Sequence, residues 1–168
     1  MKHLLSSAIF AALAGPVAAD VTVSFRDGAP KDRFVIASDV GICADAGLRI
    51  AIDLTPTMGQ LIFDITGAGQ GVEVFQPFEL VSGGGNVTGV SEVTDGDKTL
   101  SVEVNAIQPG AEVAFTIDVD DTIGAREITV TGSEIAGGLV QLTDGTDSAT
   151  GIFGEDGVAK VAWPACVS

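Results

Sequence analysis

Three aspartates in the second half of the chain carry the clearest chemical signal in this sequence. Apolar and polar residues alternate from Glu112 to Asp120. Asp118 and Asp120 are the last polar residues of this run, and Asp121 follows it directly. If this run is a β-strand, Asp118 and Asp120 project from one face and the apolar residues from the other. Ca²⁺ takes six to eight oxygen ligands and binds carboxylates well. The sequence therefore predicts that these three residues bind Ca²⁺.

Two points about this acidic group stay open at the level of sequence. Its spacing differs from an EF-hand loop, because the glycine and the distal glutamate of that motif are missing. A complete metal site would then need a further ligand, such as Glu134 or Asp144. The alternative is a solvated acidic edge, since charges on an exposed strand oppose aggregation between sheets.

The remaining acidic motifs and the catalytic candidates are weaker. Asp and Gly tolerate the positive φ angles of tight hairpins, so the Asp-Gly motifs at 95–97, 144–147 and 155–157 are predicted to be turns. The single histidine, His3, lies in a segment predicted to be removed, and no serine stands in a G-x-S-x-G elbow. Trp163 is expected to pack in the core, with a sugar-stacking platform as the alternative.

The first 19 residues have the pattern of a secretory signal peptide. Lys2 is followed by a short apolar run, and the small residues at 17–19 suit a signal peptidase that cleaves before Asp20. This run is too short to cross a bilayer, which takes about 20 apolar residues, and no second long apolar run follows. We expect a signal peptide at 1–19, one mature domain at 20–168, no membrane span, and a secreted, periplasmic or cell-surface location.

Two cysteines, Cys43 and Cys166, would remain after that cleavage. An even number of cysteines in an exported chain indicates a disulfide, and the chain has no histidine for a catalytic Cys–His pair in its mature part. The sequence therefore predicts a Cys43–Cys166 disulfide that closes most of the chain into one loop.

The charge of the chain restricts its partners. There are 23 acidic and 8 basic residues, which give a net charge of −15. Such a surface repels nucleic acid and anionic lipid and attracts cations. We expect an extracellular protein or a glycan as partner, and no nucleic acid.

The elements that must position these residues are predicted to be β-strands. Short segments of alternating apolar residues, separated by Gly, Asp and Pro, are typical of an antiparallel sandwich or barrel. The best helical candidate is a single turn at 44–48. The predicted fold is one all-β domain, an antiparallel β-sandwich of Ig-like or jelly-roll type. The predicted strands are 21–25, 33–38, 50–54, 61–65, 72–75, 100–104, 113–119, 128–130, 139–142 and 159–163.

One block of the chain, about residues 100–142, resembles a group of small exported bacterial proteins described as aggregation factor core. The segment from Gln108 to Thr122 carries this resemblance, together with the Ser-Glu-Ile-Ala-Gly stretch at 133–137. The resemblance implies an exported β-sandwich with an adhesive role. It carries over no catalytic residue, and it points to Asp118, Asp120 and Asp121 as cation ligands.

Three functions from different classes are compatible with these observations. The leading one is a secreted, non-catalytic adhesion or aggregation module at the cell surface or outside the cell, assisted by Ca²⁺. The second is a module that binds a glycan or another small ligand, which exposed aromatic residues beside a groove would favour. The third is a hydrolase with two carboxylates about 5–10 Å apart in a pocket.

Cleavage of the signal peptide is directly testable. Mass spectrometry of the protein purified from its native source should show Asp20 as the first residue. Recovery of the soluble protein with Met1 intact would contradict this prediction.

The disulfide is testable through stability. Closing so long a loop is worth about 4–5 kcal/mol in the chain-entropy description, so reductant and the Cys43→Ser change should each lower the melting temperature. If neither does, and Cys166 reacts with a thiol reagent in the native protein, the two cysteines are not joined.

Overall fold

Strands dominate the computed structural model, which describes residues 18–67, 69, 71, 75–123 and 130–165. For residues 18 and 43–46 only the backbone is described. The one α-helix among these residues is a single turn, α1 (Gly132–Ile135), and a 3-10 turn covers Gly84–Asn86. The strands are β1 (Ala18–Arg26), β2 (Asp32–Ser38), β3 (Ile42–Asp53), β4 (Ile62–Phe63), β5 (Glu79–Ser82), β6 (Val87–Val90), β7 (Thr99–Ile107), β8 (Glu112–Ile117), β9 (Val119–Asp120), β10 (Leu139–Thr143), β11 (Ser148–Ile152) and β12 (Val158–Pro164).

Two five-stranded antiparallel sheets pack face to face, which confirms the predicted all-β sandwich. Sheet A has the strand order β12-β1-β2-β8-β5, and sheet B has the order β11-β10-β3-β7-β6. Strands β4 and β9 form a separate two-stranded ribbon. Neighbours in the chain pair as hairpins in β1–β2, β6–β7 and β10–β11, whereas β1–β12 and β3–β7 pair across long stretches of sequence.

The core lies between the sheets, where alternate residues of each strand point inward. Phe34 stacks on Phe115 with ring centroids 5.2 Å apart, and Phe25 packs against Phe34 at the same distance. Trp163 is only 4% exposed and belongs to this core, as expected. Its burial removes it as a platform for sugar stacking, because such a platform must face solvent.

The strand predictions were largely correct, with a few errors. Segment 44–48 is not a helical turn but part of β3, where the pairing with β7 is irregular between Cys43 and Leu48. Strands β5, β6 and β11 were missed. Each has exposed or half-buried residues on most positions, so its apolar pattern is weak.

Several predictions fall wholly or partly on residues that the structure does not describe. These are residues 1–17 of the signal peptide, 72–74 and 128–129 of two predicted strands, Cys166 and the side chain of Cys43. The signal peptide and the disulfide therefore stay predictions. Strand β1 begins at Ala18 and pairs with β12 from that residue on, so cleavage before Asp20 would leave all but its first two residues.

Two other sequence features can be placed. The Asp144 motif is a turn between β10 and β11, in which Asp144 Oδ1 accepts the N–H groups of Thr146 and Asp147 at 2.8 and 2.9 Å. Within the described part of the chain, no helix has the length and apolar character to cross a membrane.

Candidate metal site

The short β4–β9 ribbon brings three aspartates together at the end of β8. Ile62 pairs with Asp120 and Phe63 with Val119, and the N–H of Asp64 donates to the carbonyl of Asp118 at 3.1 Å. Opposite and diagonal residues on one face of an antiparallel pair are neighbours. Asp64, Asp118 and Asp120 therefore meet on one face of the ribbon.

That face is turned away from the main core. Phe63 and Val119, on the opposite face of the ribbon, belong to the core between the sheets. The aspartate face is nonetheless covered, because Asp64, Asp118 and Asp120 are 1%, 4% and 1% exposed. The predicted alternative of a solvated acidic edge is wrong, since solvent does not reach these carboxyl groups.

The geometry of the three carboxyl groups suits one cation. One oxygen from each of Asp64, Asp118 and Asp120 lies within 4.8 Å of the others. Oxygens that share a Ca²⁺ at about 2.3–2.6 Å can be no more than about 5 Å apart. The separation of these oxygens is therefore compatible with their sharing a calcium ion.

Some of these oxygens have no donor. Both carboxylate oxygens of Asp64 and Oδ2 of Asp118 are buried and accept no hydrogen bond within the described structure. Buried polar atoms in native proteins are nearly always partnered, by protein, water or an ion. These oxygens are the atoms that a metal ion would take up.

Among the described residues, no basic side chain forms an ion pair with Asp64 or Asp118. Lys31 and Arg33, which flank the buried Asp32, pair instead with Glu79 and Glu112 on the surface of sheet A. Asp32 itself accepts the N–H of Gly28 at 3.1 Å and the N–H of Val119 at 3.0 Å, so it holds the segment between Asp118 and Asp120 in place.

Burial and mutual repulsion make these carboxyl groups weak acids. Burial raises the pKa of Asp32 to about 8, and the charge of Asp118 adds to the effect. Burial, followed by the charge of Asp120, raises the pKa of Asp118 to about 7. The pKa of Asp64 is also raised, first by burial and then by the adjacent carboxyl groups of Asp95 and Asp120. Without a cation, the cluster resists full ionisation at neutral pH.

The sequence located this site in part. Asp118 and Asp120 belong to the described cluster, whereas Asp121 is buried beside it and lies outside the group of three. The two further ligands that were considered are engaged elsewhere. Glu134 forms a capping box with Thr131 at the start of α1, and Asp144 forms its own hairpin turn.

Sequence reasoning missed Asp64, and it identified the turn at 95–97 but not the contacts of the Asp95 side chain. Asp64 lies on the polar face of the alternating run 61–65, the same signal that identified Asp118, but nothing local pairs β4 with β9. Asp97 has the predicted turn role, because its Oδ2 accepts the N–H of Thr94 at 2.7 Å. Asp95 instead reaches away from its turn, and its Oδ1 accepts the N–H groups of Ile65 and Thr66, both at 2.9 Å.

Comparisons with known proteins give no independent guide to this site. Neither a model of a known protein family nor a curated protein matches the chain. The resemblance to aggregation factor core proteins therefore stays a prediction from the sequence.

The stability of the metal-free protein should fall as the pH rises from about 5 to about 9. The folded-state pKa values of Asp32 and Asp118 lie above the ordinary 3.8, so the unfolded chain loses these protons first. The contribution of these two groups to the free energy of unfolding is complete below about pH 4 and is lost as the pH passes 7–8. The pKa of Asp144 is lowered, which has the opposite sign, but that effect is complete above about pH 5.

The measurement is the melting temperature in chelator across this pH range. The Asp118→Asn change should flatten the decline, because it removes one of the titrating groups. The exposed Asp39→Asn change should leave the decline unaltered. A melting temperature that is constant or rises between pH 5 and 9 would contradict the assignment.

Proposed function

We propose that this protein is a secreted, non-catalytic β-sandwich module that binds Ca²⁺ through Asp64, Asp118 and Asp120. The observation that carries the proposal is the buried group of three carboxyl groups, in which oxygens of Asp64 and Asp118 accept no hydrogen bond from a described residue. Its structural role would be to hold the β4–β9 ribbon against the end of β8. The chain would then reach full stability only where Ca²⁺ is abundant.

The energetics of burial support a cation at this position. Taking even one carboxylate out of water without a partner is expensive, and adjacent like charges add to the cost. A divalent cation offsets both the desolvation cost and the repulsion, since it supplies opposite charge and coordinates the oxygens directly. Protonation offsets them only in part, and less as the pH rises.

The class of the cation follows from the ligands and the location. The donors are carboxylate oxygens, which suit Ca²⁺ and Mg²⁺ rather than softer metals. Mg²⁺ demands near-octahedral geometry at about 2.0–2.1 Å and keeps several of its waters, whereas these three carboxyl groups are almost fully buried. Extracellular modules bind Ca²⁺ with dissociation constants of about 10⁻⁴–10⁻³ M, a range that matches an exported protein.

The adhesive role and the extracellular location complete the proposal. Adhesion is supported by the resemblance of about residues 100–142 to aggregation factor core proteins, and this block contains Asp118 and Asp120. Export is supported by the signal-peptide pattern at 1–19. A net charge of −15 suits a Ca²⁺-rich environment, because divalent cations reduce repulsion between copies of an acidic protein.

The two other functions receive less support from the described residues. A hydrolase needs carboxyl groups that a substrate can reach, and Asp64, Asp118 and Asp120 are almost fully buried. Glycan binding commonly uses exposed aromatic platforms. Phe75, 39% exposed, is the one aromatic residue with substantial exposure in the described part of the chain.

Calcium should raise the melting temperature of the mature protein. At a hundredfold excess over the dissociation constant, a ligand of the folded state adds about 2.7 kcal/mol, which corresponds to about 5–10 °C for a domain of this size. At fixed ionic strength, thermal unfolding measures the melting temperature and calorimetric titration measures the dissociation constant. The double change Asp118→Asn and Asp120→Asn should abolish the response and raise the metal-free stability, because it relieves the repulsion.

The matched control is Asp20→Asn with Asp39→Asn, two exposed aspartates whose loss changes the net charge by the same amount. This variant should keep the wild-type response to Ca²⁺. Equal stabilisation of the wild type by Na⁺, Mg²⁺ and Ca²⁺ at matched ionic strength would mean screening of surface charge and would overturn the proposal.

A further inference from the structure

We infer that Asp95 is the fourth carboxylate of the calcium site and that Gly69 and Gly71 form the wall that closes it. This inference rests on the proposed function and deepens it, because it assigns the cation a second task. The bound Ca²⁺ would fasten the backbone at Gly69 and Gly71 to the β4–β9 ribbon.

An unsatisfied buried side chain, and not only the grouping of acids, points to a ligand here. Asp64 is 1% exposed, both of its oxygens lack a hydrogen-bond donor among the described residues, and one of them lies within 4.8 Å of ligand oxygens of Asp118 and Asp120. Such an oxygen pair is strongly disfavoured unless an ion or a proton binds it.

Asp95 is held against Asp64 with one oxygen to spare. Its Oδ1 is occupied by the N–H groups of Ile65 and Thr66, the two residues that follow Asp64. Its Oδ2 is buried and accepts no hydrogen bond from any described residue. The two N–H groups therefore orient Asp95 beside Asp64. Asp95 lies outside the group of three whose oxygens are all within 4.8 Å of one another, so its second oxygen would reach a cation from the Asp64 side of that group.

Gly69 and Gly71 approach these carboxyl groups so closely that no side chain fits. A Cβ atom on Gly71 would overlap Oδ2 of Asp64 and Oδ2 of Asp120, and one on Gly69 would overlap Oδ2 of Asp95. Both glycines therefore lie against oxygens that the cation would bind. A methyl group at position 71 would occupy space between two of the proposed ligands.

Two substitutions test this assignment by calorimetric titration of the mature protein with Ca²⁺. Asp95→Asn keeps an oxygen that accepts the Ile65 and Thr66 N–H groups but removes the charge. Gly71→Ala inserts a methyl group between ligands. Each should weaken Ca²⁺ binding by at least about tenfold, in line with changes around other metal sites. Gly85→Ala, where a Cβ meets nothing within 4 Å, is the control and should bind like the wild type.

Hydrogen exchange provides a second readout, one that a general loss of stability would not reproduce. Ca²⁺ should slow exchange of the Ile65, Thr66 and Gln76 amides in the wild type and in Gly85→Ala, but not in Gly71→Ala. The Gln76 amide is included because it donates to the carbonyl of Asp64 at 3.3 Å. If Gly71→Ala fails to fold, the Ca²⁺ affinity of Asp95→Asn alone tests the inference.

The outcomes separate this inference from the proposed function. If the wild type binds Ca²⁺ and Asp118→Asn with Asp120→Asn abolishes binding, while Asp95→Asn and Gly71→Ala bind like the wild type, the present inference is overturned and the proposed function stands. If the wild type binds no Ca²⁺, both fail.

Discussion

The burial of three adjacent carboxyl groups is the main physical constraint at the β4–β9 end of this protein. Asp64, Asp118 and Asp120 are almost inaccessible to solvent, and the lysine and arginine nearest in sequence to the buried Asp32 pair with surface glutamates instead. Proteins rarely retain unpaired buried charge, because the desolvation cost is several kcal/mol per ion. In the proposed function, Asp64 and Asp118 are compensated by a bound cation or, without it, by protonation. Ca²⁺ suits these oxygens and is plentiful outside the cell, where the proposed export would place the protein.

The β-sandwich makes this burial tolerable because its stability comes from elsewhere. Both five-stranded sheets contribute alternating apolar residues to one continuous core, including the Phe25, Phe34 and Phe115 aromatic group. The aspartates lie outside this core, on the far face of the β4–β9 ribbon. The core therefore positions the site through Phe63 and Val119 without depending on it. A cation would then govern the order of the ribbon and of the segments around it more than the existence of the fold.

This separation is compatible with the binding module proposed above. The three carboxyl groups are almost fully buried, and in the proposed function they hold an ion. Their raised pKa values have the same origin, since burial disfavours the charged form whether or not chemistry follows. An adhesive module gains from such a site a structure that is firm outside the cell, where Ca²⁺ is plentiful, and looser where it is scarce.

The β class, most strand positions and two of the three clustered aspartates were predictable from the sequence alone. Alternation with a period of two is a local property, so it predicted the strands and placed Asp118 and Asp120 on one face. The same reliance on alternation explains why β5, β6 and β11 were not predicted, because their alternation is weak. The burial of this face, the position of Asp64 on it and the contact of Asp95 with the residues after Asp64 follow from the tertiary structure alone. Those facts depend on the pairing of β4 with β9 and on the packing of segments distant in the chain, which no local pattern encodes.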